Sequence, residues 1–165
     1  MATRPDREAL AAAVGGLTYG TVVVLSVIVA GAKTFPDAPG LVGLIVLVTT
    51  ATFWLAHVYA HSLALSIGHD THLSLARLGQ TARREAAILG AGIPPGAALL
   101  LGALGVLDEK TAVWLALALG TAVLFAMGLV FARVERLGRL GTCLAVLANL
   151  ALGTVLILLK VLVVH

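Results

Sequence analysis

The histidines are the side chains of this 165-residue chain with the clearest capacity for chemistry. His57 and His61 lie one helical turn apart within an apolar stretch, and His69 and His72 follow them. Imidazole changes its charge near neutral pH, and neutral imidazole is also a common metal ligand. The pattern therefore predicts either proton handling or metal binding.

A single helix would place the two apolar histidines on one narrow face together with Thr50 and Trp54, at about 100° per residue. Ionisable side chains inside a membrane are costly and usually face the bundle interior or a water-filled path. We expect this face to line a path for protons or small cations, with Trp54 as a constriction and Thr50 as the outer contact. Asn149, near the middle of the last apolar stretch, is assigned to the same path.

A metal site is the main alternative. Two imidazoles at positions i and i+4 can bind one ion, so His57 and His61 could hold a divalent metal such as zinc, with His69, Asp70 and His72 as further ligands. His57-x-x-x-His61 followed by His69-x-x-His72 resembles the histidine boxes of membrane di-iron hydroxylases and desaturases. This chain lacks the paired histidines of their final box, so no iron site is assigned from that resemblance.

A third interpretation gives the histidines a packing role only. Polar side chains join membrane helices through hydrogen bonds across the bundle. The candidate partners for His57 and His61 are Thr18, Tyr19, Ser26 and Asn149. A protein of that kind would be a scaffold subunit of a larger membrane complex, with neither ion flux nor bound metal.

The composition excludes several classes of function. The chain is 60% hydrophobic and 12% charged, whereas soluble domains carry about 25% charged residues. Its net charge of +3 comes from short basic segments between apolar stretches, which favours membrane orientation over nucleic-acid binding. No phosphate-binding glycine loop or Gly-x-Ser-x-Gly motif is present, so no catalytic residue or organic cofactor is assigned and a non-enzymatic role is favoured.

Five apolar stretches are long enough to cross a bilayer, which takes about 20 helical residues. They predict an all-α integral membrane protein, folded as one domain over residues 1–165, with no Asp or Glu inside the bundle. The predicted spans are residues 9–32, 41–67, 86–107, 111–132 and 140–164.

Two segments of this topology are unusual. Residues 72–85 are too polar to span and predict either a short helix on the membrane surface or a polar loop. The third span contains Pro94 and Pro95 among glycines, and we expect a kink there rather than a discontinuous helix.

Arginine and lysine in the connections predict the orientation. Eight arginines fall in the N-terminal segment and in the second and fourth connections, against Lys33, Lys110 and Lys160 elsewhere. We therefore expect a multi-pass protein of the plasma membrane (the inner membrane of a bacterial cell), with a cytoplasmic N-terminus and an external C-terminus. Five short helices with one polar face are marginal for enclosing a path, so a homo-oligomer is expected.

Overall fold

The computed structural model describes residues 4–68 and 74–163, and for residues 4–8 and most residues after 155 it gives the backbone only. All regular structure in these residues is α-helical. The helices are α1 (Arg4–Thr34), α2 (Pro39–Gly68), α3 (Leu75–Arg84), α4 (Ala87–Gly90), α5 (Ile93–Ala103), α6 (Glu109–Val134) and α7 (Arg139–Val163).

Three of the helices are long and apolar enough to cross a membrane, over Ala9–Thr34, Pro39–Ile67 and Glu109–Val134. A fourth crossing is reached if Leu75–Gly90 and Ile93–Ala103 count as one bent span. The prediction of an all-α chain with membrane-crossing helices is confirmed. Of the five predicted spans, three or four are supported by the described residues, and α7 contributes a shorter apolar helix over its fully described part, Arg139–Val155.

Helices α1 and α2 form an antiparallel hairpin. Near its turn, a Cβ on Gly31 would lie 3.1 Å from a methyl group of Val42. Further along the pair, the ring of Tyr19 faces the rings of Phe53 and His57. Tyr19 of α1 and His57 of α2 therefore lie at the same level of the bundle.

The chain bends between α4 and α5, within the span predicted over residues 86–107, and the helix is interrupted there for two residues. Helix α4 ends at Gly90, Ala91 and Gly92 form a turn, and the two parts meet at 51°. Pro94 lies in the first turn of α5, where backbone N–H groups have no partner within the helix. Ala91 and Gly92 keep right-handed helical backbone angles, so the prolines bend the span by removing backbone donors.

Glycines let α4 pack directly on the backbone of α1. A Cβ on Gly20 would lie 2.7 Å from the carbonyl oxygen of Ile88 and 2.9 Å from the Cβ of Ala91. A Cβ on Gly16 would lie 3.1 Å from the Cβ of Ala87. These contacts fix α4 at the level of Tyr19, one helical turn from the break.

The two ends of the bundle differ in charge. The end that we call the arginine end carries the C-termini of α3 and α6 and the N-terminus of α7, with Arg83, Arg84, Arg133, Arg136 and Arg139. The opposite end, the lysine end, carries the α1–α2 turn and the N-terminus of α6, with Lys33 and Lys110.

Helix α6 begins at the lysine end with a side-chain cap. The Asp108 carboxylate accepts a hydrogen bond from the Thr111 backbone N–H at 2.9 Å. Hydrogen bonds from the hydroxyl and the backbone N–H of Thr111 hold the pKa of Asp108 below its usual value. The cap satisfies an N–H that has no partner within the first turn of the helix.

An apolar core fills the part of the bundle between the lysine end and the level of Tyr19. Its members come from α1, α2, α5 and α6 and are almost completely buried. They are Val24, Leu25, Ile28, Val42, Val46, Ala98, Leu99, Val113, Ala116, Leu117 and Leu124. The polar side chains of interest therefore lie between this core and the arginine end.

Candidate functional site

The side chains on the predicted polar face of α2 become more exposed from Thr50 to His61. Thr50 is only 4% exposed, and Trp54 is half-buried. The His57 side chain is 42% exposed, and His61 is an exposed residue. The four side chains share one side of the helix as predicted, but only the first is enclosed by the described residues.

Glu85 is the carboxylate of this site. Its Oε2 lies 3.4 Å from Nε2 of His57, and its side chain is 11% exposed. It follows the last residue of α3, where its backbone N–H donates to the carbonyl of Thr81 at 2.9 Å. The two side chains form an ion pair whenever His57 is protonated.

The presence of Glu85 corrects the expectation that the bundle contains no carboxylate. It was assigned to the polar connection because Arg83 and Arg84 precede it directly. A signal was present nonetheless: Leu78, Thr81 and Glu85 recur at intervals of three and four residues, which places them on one face of a helix. That face is turned toward the bundle, since Thr81 and Glu85 are buried.

Four rings form a continuous row along the surface between α1 and α2. The ring centroids of Phe53 and Tyr19 are 6.5 Å apart, and those of Tyr19 and His57 are 5.8 Å apart. His57 stacks on His61 with centroids 6.4 Å apart. This ring row extends from the level of α4 toward the arginine end.

Tyr19 is the predicted packing partner that touches His57. Two of the other candidates bind their own helices: the Ser26 hydroxyl donates to Val22 at 2.8 Å, and the Asn149 amide donates to Ala145 at 3.0 Å. Asn149 lies on the far side of α1, where it lines a cavity of about 510 Å³ that Tyr19 also lines. Thr18 lines the same cavity.

Thr50 faces a long groove between α2 and the α4–α5 segment. Its hydroxyl donates to the carbonyl of Val46 at 2.7 Å, so its proton is not directed along a path in this conformation. The groove has a volume of about 720 Å³ and is lined almost entirely by apolar side chains and glycines. A Cβ on Gly92, at the α4–α5 break, would lie 3.9 Å from the Thr50 hydroxyl.

Trp54 anchors α3 to α2. Its indole N–H donates to the carbonyl of Ala82 at 3.2 Å, three residues before the buried carboxylate. The predicted constriction is therefore also the side chain that holds α3 beside His57.

Replacing Trp54 with phenylalanine is expected to loosen α3. The variant keeps a large apolar ring but loses a hydrogen bond worth about 1 kcal/mol. Amide hydrogen exchange in α3 is expected to become several-fold faster, while exchange in α6 stays unchanged. Equal exchange of α3 in the variant and the original protein would show that the hydrogen bond does not hold the helix.

The predicted metal set is only partly within the described residues. His69, Asp70 and His72 lie outside them. Among residues 4–68 and 74–163, no three His, Cys, Asp or Glu side chains are grouped in a way that could hold a metal ion. His57 and His61 remain adjacent and could contribute two ligands to a site completed elsewhere.

Comparison of the chain with protein-family models, curated proteins and solved structures gives no match. What the site can do chemically follows from its own residues. An imidazole and a carboxylate 3.4 Å apart can hold one proton between them, and the His61 ring, 6.4 Å beyond, can exchange a proton with His57 through a water.

Proposed function

We propose that this small multi-pass membrane protein transports protons or small cations, with His57 and Glu85 as the proton-binding pair. The contact of 3.4 Å between an imidazole and a largely buried carboxylate carries the proposal. Titratable side chains within membrane bundles are costly, and they are characteristic of proton relays and ion paths.

The charge of the two ends supports a cytoplasmic arginine end. Cytoplasmic connections of membrane proteins are enriched in arginine and lysine, which puts the N-terminus of the chain in the cytoplasm. His57 is 18 residues beyond Pro39, or about 27 Å along the helix. In a hydrocarbon core about 30 Å thick, His57 then lies close to the cytoplasmic boundary, and His61 lies at it.

The apolar core favours a gated transporter over an open pore. On the far side of Glu85, residues such as Val24, Val46 and Leu99 are 0–2% exposed. A proton bound by the pair therefore exchanges with the cytoplasmic side in this conformation. Delivery to the other side requires α4 and α5 to move relative to α2, and the break at Ala91–Gly92 is the point where such a movement can occur.

Exposure of the ring row supports a homo-oligomer. The side chain of His57 is 42% exposed, Tyr19 is 43% exposed, and His61 is also exposed. A second copy of the chain that covers this surface would bury the exposed rings and enclose the two histidines between subunits. In that assembly, His57, His61 and Trp54 of neighbouring subunits would surround the path. Asn149, on the far side of α1, and Thr50, in the apolar groove, are not part of it.

The proposal is tested by flux into proteoliposomes that enclose a pH-sensitive dye. A His57→Ala, His61→Ala double variant is expected to lose the pH-dependent flux, whereas Tyr59→Phe, a change of one hydroxyl on an exposed part of α2, should keep it. Unchanged flux in the double variant would refute the proposal. If the original protein shows no flux, stoichiometric zinc in the purified protein would support the metal site instead, and a co-purifying partner would support a scaffold.

A further inference from the structure

Helix α3 has two chemically different faces. Leu78, Thr81, Ala82 and Glu85 are half-buried or buried against the bundle. The residues on the opposite face are exposed and polar or small. That outward face consists of Ala76, Arg77, Gln80, Arg83 and Arg84.

One leucine is exposed at the start of the same helix. Leu75, in its first turn, is 87% exposed, although leucine is costly to leave in water. Arg83 and Arg84 lie at the other end of α3, at the level of His57, which is the depth at which basic side chains meet lipid headgroups.

The surrounding charges reinforce this arrangement. Glu85 is turned inward to His57, whereas Arg83 and Arg84, which precede it, are exposed on the outward face of α3. The α6–α7 turn at the same end adds Arg133, Arg136 and Arg139 against the single acid Glu135. The described part of the arginine end therefore presents a positive surface around α3, whereas the lysine end combines two lysines with Asp37, Asp108 and Glu109.

We propose that the outward face of α3, centred on Arg83 and Arg84, binds the phosphate headgroups of anionic lipids in the adjacent leaflet. Guanidinium groups pair with phosphate oxygens through two parallel hydrogen bonds, and a negative leaflet attracts basic segments within about 10 Å of its surface. Lipid binding in this form does not depend on transport by the protein.

The inward anchoring of α3 gives the lipid site a regulatory consequence, which rests on the proposed function. Ala82 is held by the Trp54 indole, and Glu85 contacts His57. Arg83 and Arg84 lie between these two anchors in the sequence. A headgroup bound to the outward face of α3 therefore restricts the motion of the Glu85 carboxylate on its inward face.

Fluorescence quenching by brominated lipids tests the proposal directly. In a Trp114→Phe background, Trp54 is the single tryptophan and reports on acyl chains beside α3. Brominated phosphatidylglycerol is expected to quench it several-fold more effectively than brominated phosphatidylcholine, and added salt should reduce the difference. Soluble glycerol phosphate should compete poorly, because the leaflet presents many phosphates beside the arginines at once.

Two double variants distinguish the contribution of the α3 arginines from that of the other arginines at the same end. Arg83→Gln with Arg84→Gln is expected to abolish the preference for the anionic lipid. Arg133→Gln with Arg139→Gln removes the same charge from the same end and should retain it. Equal quenching by the two lipids, or a preference that survives the α3 substitutions, would overturn the proposal. Because the assay measures no flux, its outcome is independent of whether the protein transports protons.

Discussion

Replacing Glu85 with glutamine is expected to reduce proton flux by about tenfold or more without unfolding the protein. Glutamine has nearly the same shape and can still accept a hydrogen bond from the His57 imidazole, 3.4 Å away. It cannot take up a proton or stabilise a charged imidazole. A loss of about 1.4 kcal/mol of stabilisation along the proton path corresponds to a tenfold fall in rate.

Two matched variants sharpen this test in the same proteoliposome assay. Glu135→Gln removes an exposed carboxylate from the α6–α7 turn and is expected to leave flux unchanged. Glu85→Asp retains the charge on a shorter side chain and should restore part of the flux. If Glu85→Gln and Glu135→Gln transported equally well, the buried carboxylate would have no role in proton movement.

Replacing Gly20 with alanine is expected to destabilise the folded protein by about 1–3 kcal/mol. The new methyl group would lie 2.7 Å from the Ile88 carbonyl oxygen and 2.9 Å from the Ala91 Cβ. Neither neighbour is the flexible end of a long side chain, so α4 must move away from α1. A lower thermal midpoint in detergent, followed by circular dichroism, is the measurement.

Gly15→Ala is the control for that substitution. A Cβ at Gly15 meets no atom within 4 Å, and alanine is the better helix former by about 1 kcal/mol. We expect its thermal midpoint to equal or slightly exceed that of the original protein. Equal midpoints for the Gly20→Ala and Gly15→Ala variants would contradict the close approach of α4 to α1.

The long helices could be predicted from the sequence because hydropathy averaged over some twenty residues is a robust signal. Hydropathy was enough to predict α1, α2 and α6. A helical projection was enough to group Thr50, Trp54, His57 and His61 on one side of α2. The sequence placed a bend or a discontinuity near Pro94 and Pro95 but could not give its angle, because a proline pair inside an apolar stretch is compatible with either a kink or a new helix start.

The carboxylate could not be placed by composition because its neighbours are two arginines. Its burial depends on α3 docking against α2, a tertiary contact made by the Trp54 indole and the Ala82 carbonyl. The roles of Thr50 and Trp54 also depend on tertiary structure: both donate hydrogen bonds to backbone carbonyls, which a helical projection cannot reveal. The projection did place the four side chains on one side of α2, and their role in a path stays a prediction.

The four-residue helix α4 implies an order of events during biogenesis. A segment this short, preceded by the arginine-bearing α3 and followed by a sharp turn, cannot satisfy its backbone in lipid on its own. The surface that receives it is made by Gly16 and Gly20 of α1, together with α2. We therefore expect the α1–α2 hairpin to be in the bilayer before residues 75–103 reach their final depth, so that the second half of the chain inserts against a surface provided by the first half.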